Sequence, residues 1–342
     1  MPTGYVYEEI FTQHDMPDHP ENATRLAAIM QYLTDHDILS KLAHVPGRLA
    51  KNGELQRCHH PLYIEMVEDT CRFGGGMLDA DTYTNAYSFE AASYAVGGVI
   101  NLMEAVVKGQ LDNGFALVRP PGHHAVPSQA MGFCLFDTIA IAARTARQKL
   151  GLQRVAVVDF DVHHGNGTQA ILNEDPHIYF VSSHQYPFYP GTGGLNEIGV
   201  GPAKGTILNV PLAVYTGDAG FKQLYNEVVF PALRRFQPEL LLISAGYDAH
   251  WEDPLAHIGL TLTGYDWLCR ALIDLAGEIC QGRIVFVLEG GYNLRVLAPG
   301  VGNTFRALLG MNDLEDLVGE SPYKEPDVTH LIAQLKRIHQ LP

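Results

Sequence analysis

Short apolar runs alternate with longer amphipathic stretches along most of the chain. Seven runs have the composition of strands, and they occupy residues 4–10, 115–118, 155–159, 178–182, 206–210, 240–244 and 284–288. The run at 155–159 is uncharged and β-branched until its last residue, as in a strand that is buried on both faces. Because strands and helices alternate through most of the chain, the pattern predicts an α/β fold with a largely parallel sheet flanked by helices on both faces.

The amphipathic stretches predict the helices. They cover residues 24–30, 63–68, 88–108, 138–150, 218–236, 263–280 and 328–339. Asn22 is the expected N-cap of the first helix, and Thr263 with Asp266 three residues later predicts a capping box at 263–280. Residues 74–76 are glycines, and together with residues 79–85 they predict a flexible acidic loop.

Unusual polar residues follow directly after several predicted strands. Asp159, Asp161 and His163 end the central run, and they project to one side because side chains alternate in an extended chain. Comparable groups follow other strands at residues 119–124, 182–184, 246–248 and 289–292. The carboxyl ends of parallel strands meet at one edge of a sheet, where such folds bind ligands. The sequence therefore predicts one polar site at that edge.

Asp161, His163 and Asp248 are the expected metal ligands. Two carboxylates and one imidazole with an open position are typical of a catalytic site for a divalent ion such as zinc. The spacing alone leaves manganese and iron open. Without a metal, the alternative is a buried Asp–His ion pair with Asp248 as a helix cap.

His123 and His124 follow a rigid Pro-Pro-Gly turn. A histidine with a near-neutral pKa can take a proton from water and return it to a leaving amine. Asp159 and Asn166 are available to orient the two rings. Tyr292 follows two glycines, and its phenol could stabilise an oxyanion. Taken one at a time, ordinary turn positions would also account for these residues.

Other histidines and aromatic residues carry weaker signals. Residues 131–134 and 186–193 supply aromatic side chains for the walls of a narrow apolar channel, or for packing. His14 and His19 lie in a proline-rich loop and are expected to be exposed rather than metal ligands. Residues 58–60, Cys-His-His, are expected to form a surface turn.

Composition narrows the class of protein. There are 38 acidic and 23 basic residues, and the net charge of −15 disfavours nucleic acid and would attract cationic substrates. Five scattered cysteines without a Cys-x-x-Cys pair indicate a reducing compartment and no structural zinc site. The sequence has no secretion signal and no apolar run of about 18 residues, so we expect a cytoplasmic protein without membrane contact.

The chain shows no internal repeat, low-complexity tract or linker. We therefore expect residues 1–342 to form a single domain. No long insertion suggests a dimerisation arm, which favours a monomer.

Five sequence phrases resemble the signatures of the zinc-dependent histone deacetylase superfamily, which includes acetylpolyamine amidohydrolases and bacterial deacetylase-like amidohydrolases. The phrases are RPPGHHA at 119–125, MGFCLF at 131–136, DFDVHHGNGTQ at 159–169, AGYDA at 245–249 and LEGGY at 288–292. The resemblance runs from about residue 5 to 310, and it leaves a helical extension at about 311–342 outside. It implies the arginase–deacetylase fold, with a parallel sheet of about eight strands.

The resemblance also implies roles for the polar residues. It implies one zinc ion on Asp161, His163 and Asp248. His123 matches the first family histidine, with Asp159 as its partner. His124 matches the general base and faces Asn166, where class I enzymes carry Asp, so the chain is similar to class II enzymes. Tyr292 matches the catalytic tyrosine.

The substrate tunnel is implied in the same way. Phe133 and Tyr189 match the two aromatic walls, with Gly132 beside them, and Asp81 lies near the rim acid that holds the substrate backbone. Leu255 stands where polyamine-selective members carry Glu. Family members also bind potassium, which here would involve Asp159, Asp161, His163 and Ser182.

The implied activity is removal of acetyl or other acyl groups from lysine side chains of proteins or peptides. Acetylated polyamines are the alternative substrates. An arginase-like ureohydrolase shares the fold but needs two manganese ions, and Gly165 stands where it would carry a bridging Asp. A non-catalytic acyl-lysine binder is disfavoured because no catalytic position is substituted.

Overall fold

A computed structural model describes residues 2–342 and has a parallel sheet at its centre. In chain order the strands are β1 (Thr3–Val6), β2 (Ala43–His44), β3 (Gly75–Met77), β4 (Tyr83–Asn85), β5 (Asn113–Ala116), β6 (Val155–Asp159), β7 (Ile178–Gln185), β8 (Ile207–Leu212), β9 (Leu241–Ala245) and β10 (Ile284–Leu288). Eight of them form the sheet in the order β2-β1-β5-β10-β9-β6-β7-β8, and all neighbours are parallel. The predicted α/β class and parallel sheet are confirmed.

Helices connect the strands. They are α1 (Ile10–Gln13), α2 (Thr24–Asp35), α3 (Asn52–Leu55), α4 (Pro61–Arg72), α5 (Ser88–Val107), α6 (Thr138–Leu150), α7 (Asn166–Leu172), α8 (Asp218–Leu224), α9 (Phe230–Phe236), α10 (Leu262–Ile279), α11 (Leu294–Leu308) and α12 (Thr329–His339). A π-helical turn, Tyr225–Val229, joins α8 to α9, and short 3₁₀ turns cover Leu39–Lys41 and Gly201–Ala203. None of these helices is both long enough and apolar enough to span a membrane.

The helices lie on both faces of the sheet. On β5, Gly114 faces Leu102 of α5, because a Cβ atom at Gly114 would lie 2.6 Å from the Leu102 side chain. The next residue, Phe115, contacts Phe305 of α11 with ring centroids 5.4 Å apart. Adjacent residues of a strand point to opposite faces. Helices α5 and α11 therefore cover opposite faces of the same strand.

Strand register brings the polar strand ends together. Asp159, the last residue of β6, is opposite Ser182 of β7 and Ser244 of β9. All residues of β6, β9 and β10 are buried. The side chains that follow these strands consequently emerge side by side at the edge predicted for the site.

The N-terminal third differs most from the predicted elements. The first strand ends at Val6 rather than residue 10, because the chain turns into α1 and buries Phe11. Residues 79–85 were expected to be a flexible loop, but Tyr83–Asn85 pairs antiparallel with Gly75–Met77. Tyr83 anchors this hairpin, since its ring is 2% exposed and its hydroxyl donates to the carbonyl of Glu21.

The predicted capping box of α10 is wrong by two residues. Thr261 is the N-cap, and its hydroxyl oxygen accepts a hydrogen bond from the Gly264 N–H. The same hydroxyl donates to Asp218 at the start of α8. Thr263 instead donates to Asp316 in the C-terminal segment. The tertiary contact with Asp218 decides which threonine begins the helix.

Two histidines expected at the surface are buried. His14 is 1% exposed, bonds to the Ser88 hydroxyl at 2.6 Å and stacks on Tyr83, and burial lowers its pKa to about 3. His59 is 2% exposed and accepts a hydrogen bond from the Asp137 N–H at the start of α6. Of the predicted surface turn at 58–60, only His60 is exposed. Both buried rings are structural groups.

Candidate active site

Three carboxylates, those of Asp159, Asp161 and Asp248, accept hydrogen bonds from the backbone that follows β6 and β10. The Asp161 N–H donates to Asp159 at 3.0 Å, and the Val162 N–H donates to Asp248 at 3.0 Å. The Gly290 N–H, beyond β10, donates to the second oxygen of Asp161 at 2.8 Å. A Cβ atom at Gly290 would lie 2.1 Å from Asp248 and 2.6 Å from Asp161. Only glycine therefore lets this loop close over both carboxylates.

Asp161, His163 and Asp248 meet at this point. The Nδ1 atom of His163 lies 3.1 Å from an oxygen of Asp161 and 3.3 Å from Oδ2 of Asp248. One donor atom from each of the three residues lies within 4.8 Å of the other two. Oδ2 of Asp248 is buried and accepts no hydrogen bond from the described residues.

The electrostatics of this cluster favour a bound cation. Burial lowers the pKa of His163, but its close contacts with the carboxylates of Asp161 and Asp248 outweigh it and raise that pKa to about 10. Burial and the neighbouring Asp161 raise the pKa of Asp248. An imidazole that holds a proton so firmly occupies a strongly negative site. A divalent cation fits there, because it would replace that proton and use the unsatisfied oxygen of Asp248.

The two adjacent histidines bond to different partners. Nδ1 of His123 lies 2.9 Å from Oδ2 of Asp159, and Nδ1 of His124 lies 2.7 Å from Oδ1 of Asn166. Their ring centroids are 4.0 Å apart, and both residues are buried. Since Oδ1 of Asn166 can only accept, Nδ1 of His124 carries the hydrogen and Nε2 keeps a free lone pair. Each histidine therefore has the orienting partner that the sequence made available.

Burial lowers the pKa of both rings, but their charged neighbours act in opposite directions. Burial lowers the pKa of His123, but the negative charges of Asp159, Asp161 and Glu289 outweigh it and hold that pKa well above its usual value. For His124, burial and the charges of His123 and His163 all hold the pKa well below its usual value. The pair therefore combines a protonated ring with a neutral one.

Tyr292 lies on the loop after β10 and is fixed from two sides. Its N–H donates to Asp253 at 2.9 Å. The guanidinium of Arg25, on α2, lies 5.1 Å from the centre of the tyrosine ring. That guanidinium also donates to the carbonyl oxygens of Glu289 and Gly291, on the same loop. Burial raises the pKa of Tyr292 well above its usual value, so the phenol keeps its proton.

A narrow cavity of about 200 Å³ leads to these groups. It is lined by Asp81, His124, Gly132, Phe133, His163, Phe188, Tyr189, Leu255 and Tyr292. All five residues expected at the substrate tunnel are in this lining. Gly132 has a φ angle of +55°, and a Cβ atom there would lie 2.3 Å from the His124 ring. Glycine is thus required for the cavity wall to pass beside that histidine.

Phe188, in the aromatic run 186–193 expected to supply channel walls or packing, lines the cavity and stacks on His163 with centroids 5.6 Å apart. Two other residues of the site were not predicted from the sequence. Asp253 holds Tyr292, and its neighbour Leu255 was the nearest signal. Arg25 is 266 residues from Gly291, to which it donates, so no local pattern reveals this contact.

Ser182, expected near a potassium site, lies beside Asp159 in the sheet. Its hydroxyl bonds to Nδ1 of His184 at 2.9 Å. The five cysteines are all buried and unpaired.

Comparisons with known proteins agree with this geometry. The family profile described as a histone deacetylase domain matches residues 19–308. Histone deacetylase 14, chloroplastic, of Arabidopsis thaliana is 39% identical over 96% of this chain and 82% of that protein. A probable deacetylase of Archaeoglobus fulgidus is 35% identical over 99% of this chain and 98% of that protein.

Two further relatives extend the comparison. Human histone deacetylase 9 is 36% identical over 98% of this chain, which matches 36% of that longer protein. The crystal structure of the HDA15 HD domain superposes with a TM-score of 0.91 at 34% identity, covering 99% of this chain and 94% of that one. The expected arginase–deacetylase fold is confirmed. This chain matches the histone deacetylase profile over most of its length, has the same fold as a solved member and has relatives that align over nearly all of it. It therefore belongs to the histone deacetylase family.

Proposed function

We propose that the protein is a zinc-dependent amidohydrolase that removes acetyl or other acyl groups from lysine side chains of proteins or peptides. The observation that carries this proposal is the convergence of Asp161, His163 and Asp248 at the foot of the cavity, beside a neutral His124. A cation site and a proton acceptor at the end of a narrow tunnel suit hydrolysis of an amide on a long, thin side chain.

Zinc is the proposed metal. Nδ1 of His163 and one carboxylate oxygen each of Asp161 and Asp248 would hold it, a donor set typical of catalytic zinc. When bound, the ion would supply a Lewis acid that polarises the acyl carbonyl and makes the attacking water more acidic. A potassium ion near Asp159 and Ser182 is proposed as an additional structural cation.

The protein's own groups move the protons. His124 accepts the proton of the attacking water at Nε2, because Nδ1 is bonded to Asn166. His123 is held protonated by Asp159, and a histidinium of the pair supplies the proton to the leaving amine. The Tyr292 hydroxyl donates to the acyl oxygen as negative charge develops on it. Phe133 and Tyr189 exclude water from the acyl chain.

Metal content and activity test the proposal together. The purified protein should hold about one zinc per chain and hydrolyse an acetyl-lysine peptide, and a chelator should abolish the activity reversibly. Asp248→Asn should lose both zinc and activity. Asp274→Asn, which changes an exposed carboxylate on α10, should lose neither. Full activity of the metal-free protein would contradict the proposal.

Removal of the phenol tests the role of Tyr292. Tyr292→Phe should lower kcat by about 10²–10³-fold, as expected for loss of one oxyanion donor, and leave the zinc content unchanged. The matched control is Tyr186→Phe, which alters an exposed tyrosine outside the cavity lining and should keep full activity. Unchanged turnover by Tyr292→Phe would exclude that role.

Acetylated polyamines are the second candidate substrates, favoured by the net charge of −15. Leu255 favours lysine, because an apolar side chain in the cavity lining offers a second ammonium group no partner. Rates on N-acetylputrescine and on an acetyl-lysine peptide separate the two classes. A marked preference for N-acetylputrescine would reverse the assignment.

Two other functions receive less support. An arginase-like ureohydrolase would need a second metal and a carboxylate at Gly165, where a Cβ atom would lie 2.3 Å from Asp159. A non-catalytic acyl-lysine binder would not need a neutral base beside the metal ligands. Two manganese ions per chain would support the first, and binding of acetyl-lysine without turnover would support the second. A cytoplasmic location and a monomeric state stay predictions.

A further inference from the structure

Glu289 is a buried carboxylate that the mechanism above does not use. It follows β10 directly and is 0% exposed. Its Oε2 atom accepts the Gly122 N–H at 2.7 Å and the His123 N–H at 3.3 Å. Its Oε1 atom accepts the Ser244 hydroxyl at 3.1 Å. Burying a carboxylate is costly unless it is well hydrogen-bonded, so these contacts account for how it is held.

Glu289 links two segments that are far apart in the sequence. Its side chain binds the backbone of the turn at residues 119–124, which carries both histidines. Its own backbone begins the loop that carries Tyr292 three residues later, and its carbonyl oxygen accepts a hydrogen bond from Arg25 at 2.6 Å. The same arginine packs against the tyrosine ring. One residue thus contacts the histidine turn directly and the tyrosine loop through its backbone.

A metal site at Glu289 is a competing explanation, because Glu289, His123 and Cys134 have donor atoms within 4.8 Å of one another. Both oxygens of Glu289 are already used by N–H and O–H donors. Cys134 donates to the Gly132 carbonyl at 3.2 Å, and burial raises the pKa of its thiol well above the usual value. Nδ1 of His123 is bonded to Asp159. Hydrogen bonds therefore account for the cluster without a metal ion. We call the contact between the Glu289 side chain and the Gly122 and His123 N–H groups the joint.

We propose that Glu289 is a positioning residue that fixes the backbone of the histidine turn relative to the Tyr292 loop. The inference rests on the proposed amidase function for its kinetic consequence, but not for its structural one. Bonds to two successive N–H groups set both the distance and the rotation of the turn, so His124 and Tyr292 face the cavity together. Catalysis is sensitive to such placement, since a shift of about 1 Å can cost about 100-fold in rate.

Three variants separate geometry from general stability. Glu289→Ala removes both side-chain acceptors, keeps the carbonyl that binds Arg25, and should lower kcat by about 100-fold while KM changes less than about threefold. Glu289→Gln keeps an oxygen for the two N–H groups and places its amide on Ser244, so it should retain activity within about tenfold. The matched control, Ser244→Ala, removes the partner of the other oxygen and should stay within about threefold of wild type.

Hydrogen exchange measures the joint without relying on activity. In the zinc-loaded protein, exchange of the Gly122 and His123 amides should rise by about tenfold or more in Glu289→Ala and change little in Glu289→Gln and Ser244→Ala. Peptides from α12, remote from the joint, should exchange as in wild type. Uniformly faster exchange, or equal loss of kcat in Glu289→Ala and Glu289→Gln, would overturn the positioning role. An inactive wild type with this local exchange pattern would instead refute only the amidase function.

Discussion

His124 illustrates how single neighbours set the chemistry of a residue. Its pKa is held well below the usual value by burial and by two adjacent imidazoles, while Asn166 offers an uncharged acceptor. The ring of His124 is therefore neutral over most of the accessible pH range. In the proposed mechanism, the decline of activity at acidic pH should therefore report protonation of His124.

The first prediction concerns this residue pair. Asn166→Asp would place a negative charge 2.7 Å from the His124 ring and so raise the pKa of His124. Protonation would then begin at higher pH, and the acid limb of the kcat/KM profile should move up by about 1–3 pH units. Asn173→Asp adds the same charge at the end of the same helix, away from His124, and should leave the profile in place. An unmoved limb in Asn166→Asp would show that another group controls it.

At the scale of residues, the sequence identifies the polar side chains of the candidate site better than it identifies the residues that fix their positions. Asp161, His163 and Tyr292 could be named because chemistry-bearing side chains are conspicuous at strand ends. Arg25 and Glu289 contact the same loops, but each acts over more than 160 residues of separation through backbone atoms. Backbone contacts leave no pattern in the side chains, so the structure is needed to find them.

At the scale of elements, the long apolar and amphipathic runs are predicted well and the short ones are not. Strands β6 and β10 and helix α6 have the predicted bounds. For the two strands, burial on both faces leaves a strong compositional signal. The two-residue edge strand β2 and the hairpin of β3 and β4 were missed. These short strands form because of tertiary contacts, such as the hydrogen bond from Tyr83 to Glu21, and local composition does not reveal such contacts.

The second prediction follows from the N-cap of α10. Thr261→Ala removes the acceptor for the Gly264 N–H and the donor to Asp218, and should destabilise the protein by about 1 kcal/mol. Thr263→Ala removes only a bond at the exposed surface and should cost less than about 0.5 kcal/mol. Urea unfolding followed by circular dichroism measures both. A larger loss of stability in Thr263→Ala than in Thr261→Ala would instead identify Thr263 as the N-cap.

At the scale of the whole molecule, the order of strands could not be predicted from the pattern alone. Strand β10 inserts between β5 and β9, so the loop with Tyr292 meets the histidine turn that follows β5 and Asp248, the proposed metal ligand that follows β9. The βα alternation predicts parallel pairing but not which strands are neighbours. The site is assembled by this topology. Its polar residues could be predicted from strand ends, but only the resemblance to a known family indicated the fold that brings them together.

The third prediction concerns the C-terminal extension, expected to belong to one domain with the rest of the chain. Leu335 of α12 is 0% exposed within the hydrophobic core, and Arg235 donates to the carbonyl of His339. Leu335→Ala should therefore lower the stability by about 2–5 kcal/mol within a single unfolding transition. Arg337→Ala, exposed on the same helix, should change it by less than about 0.5 kcal/mol. A separate early transition would show that the extension unfolds independently.

The fourth prediction uses the net charge of −15. An acidic molecule attracts a basic peptide over the Debye length, about 10 Å at 0.1 M salt. For an acetyl-lysine peptide with flanking lysines, kcat/KM should fall several-fold from low to high ionic strength, because steering raises the association rate. A neutral acetyl-lysine peptide should change little, and kcat should be constant for both. Equal salt dependence for the two peptides would place the effect in the catalytic step, and the long-range field would then play no part in substrate selection.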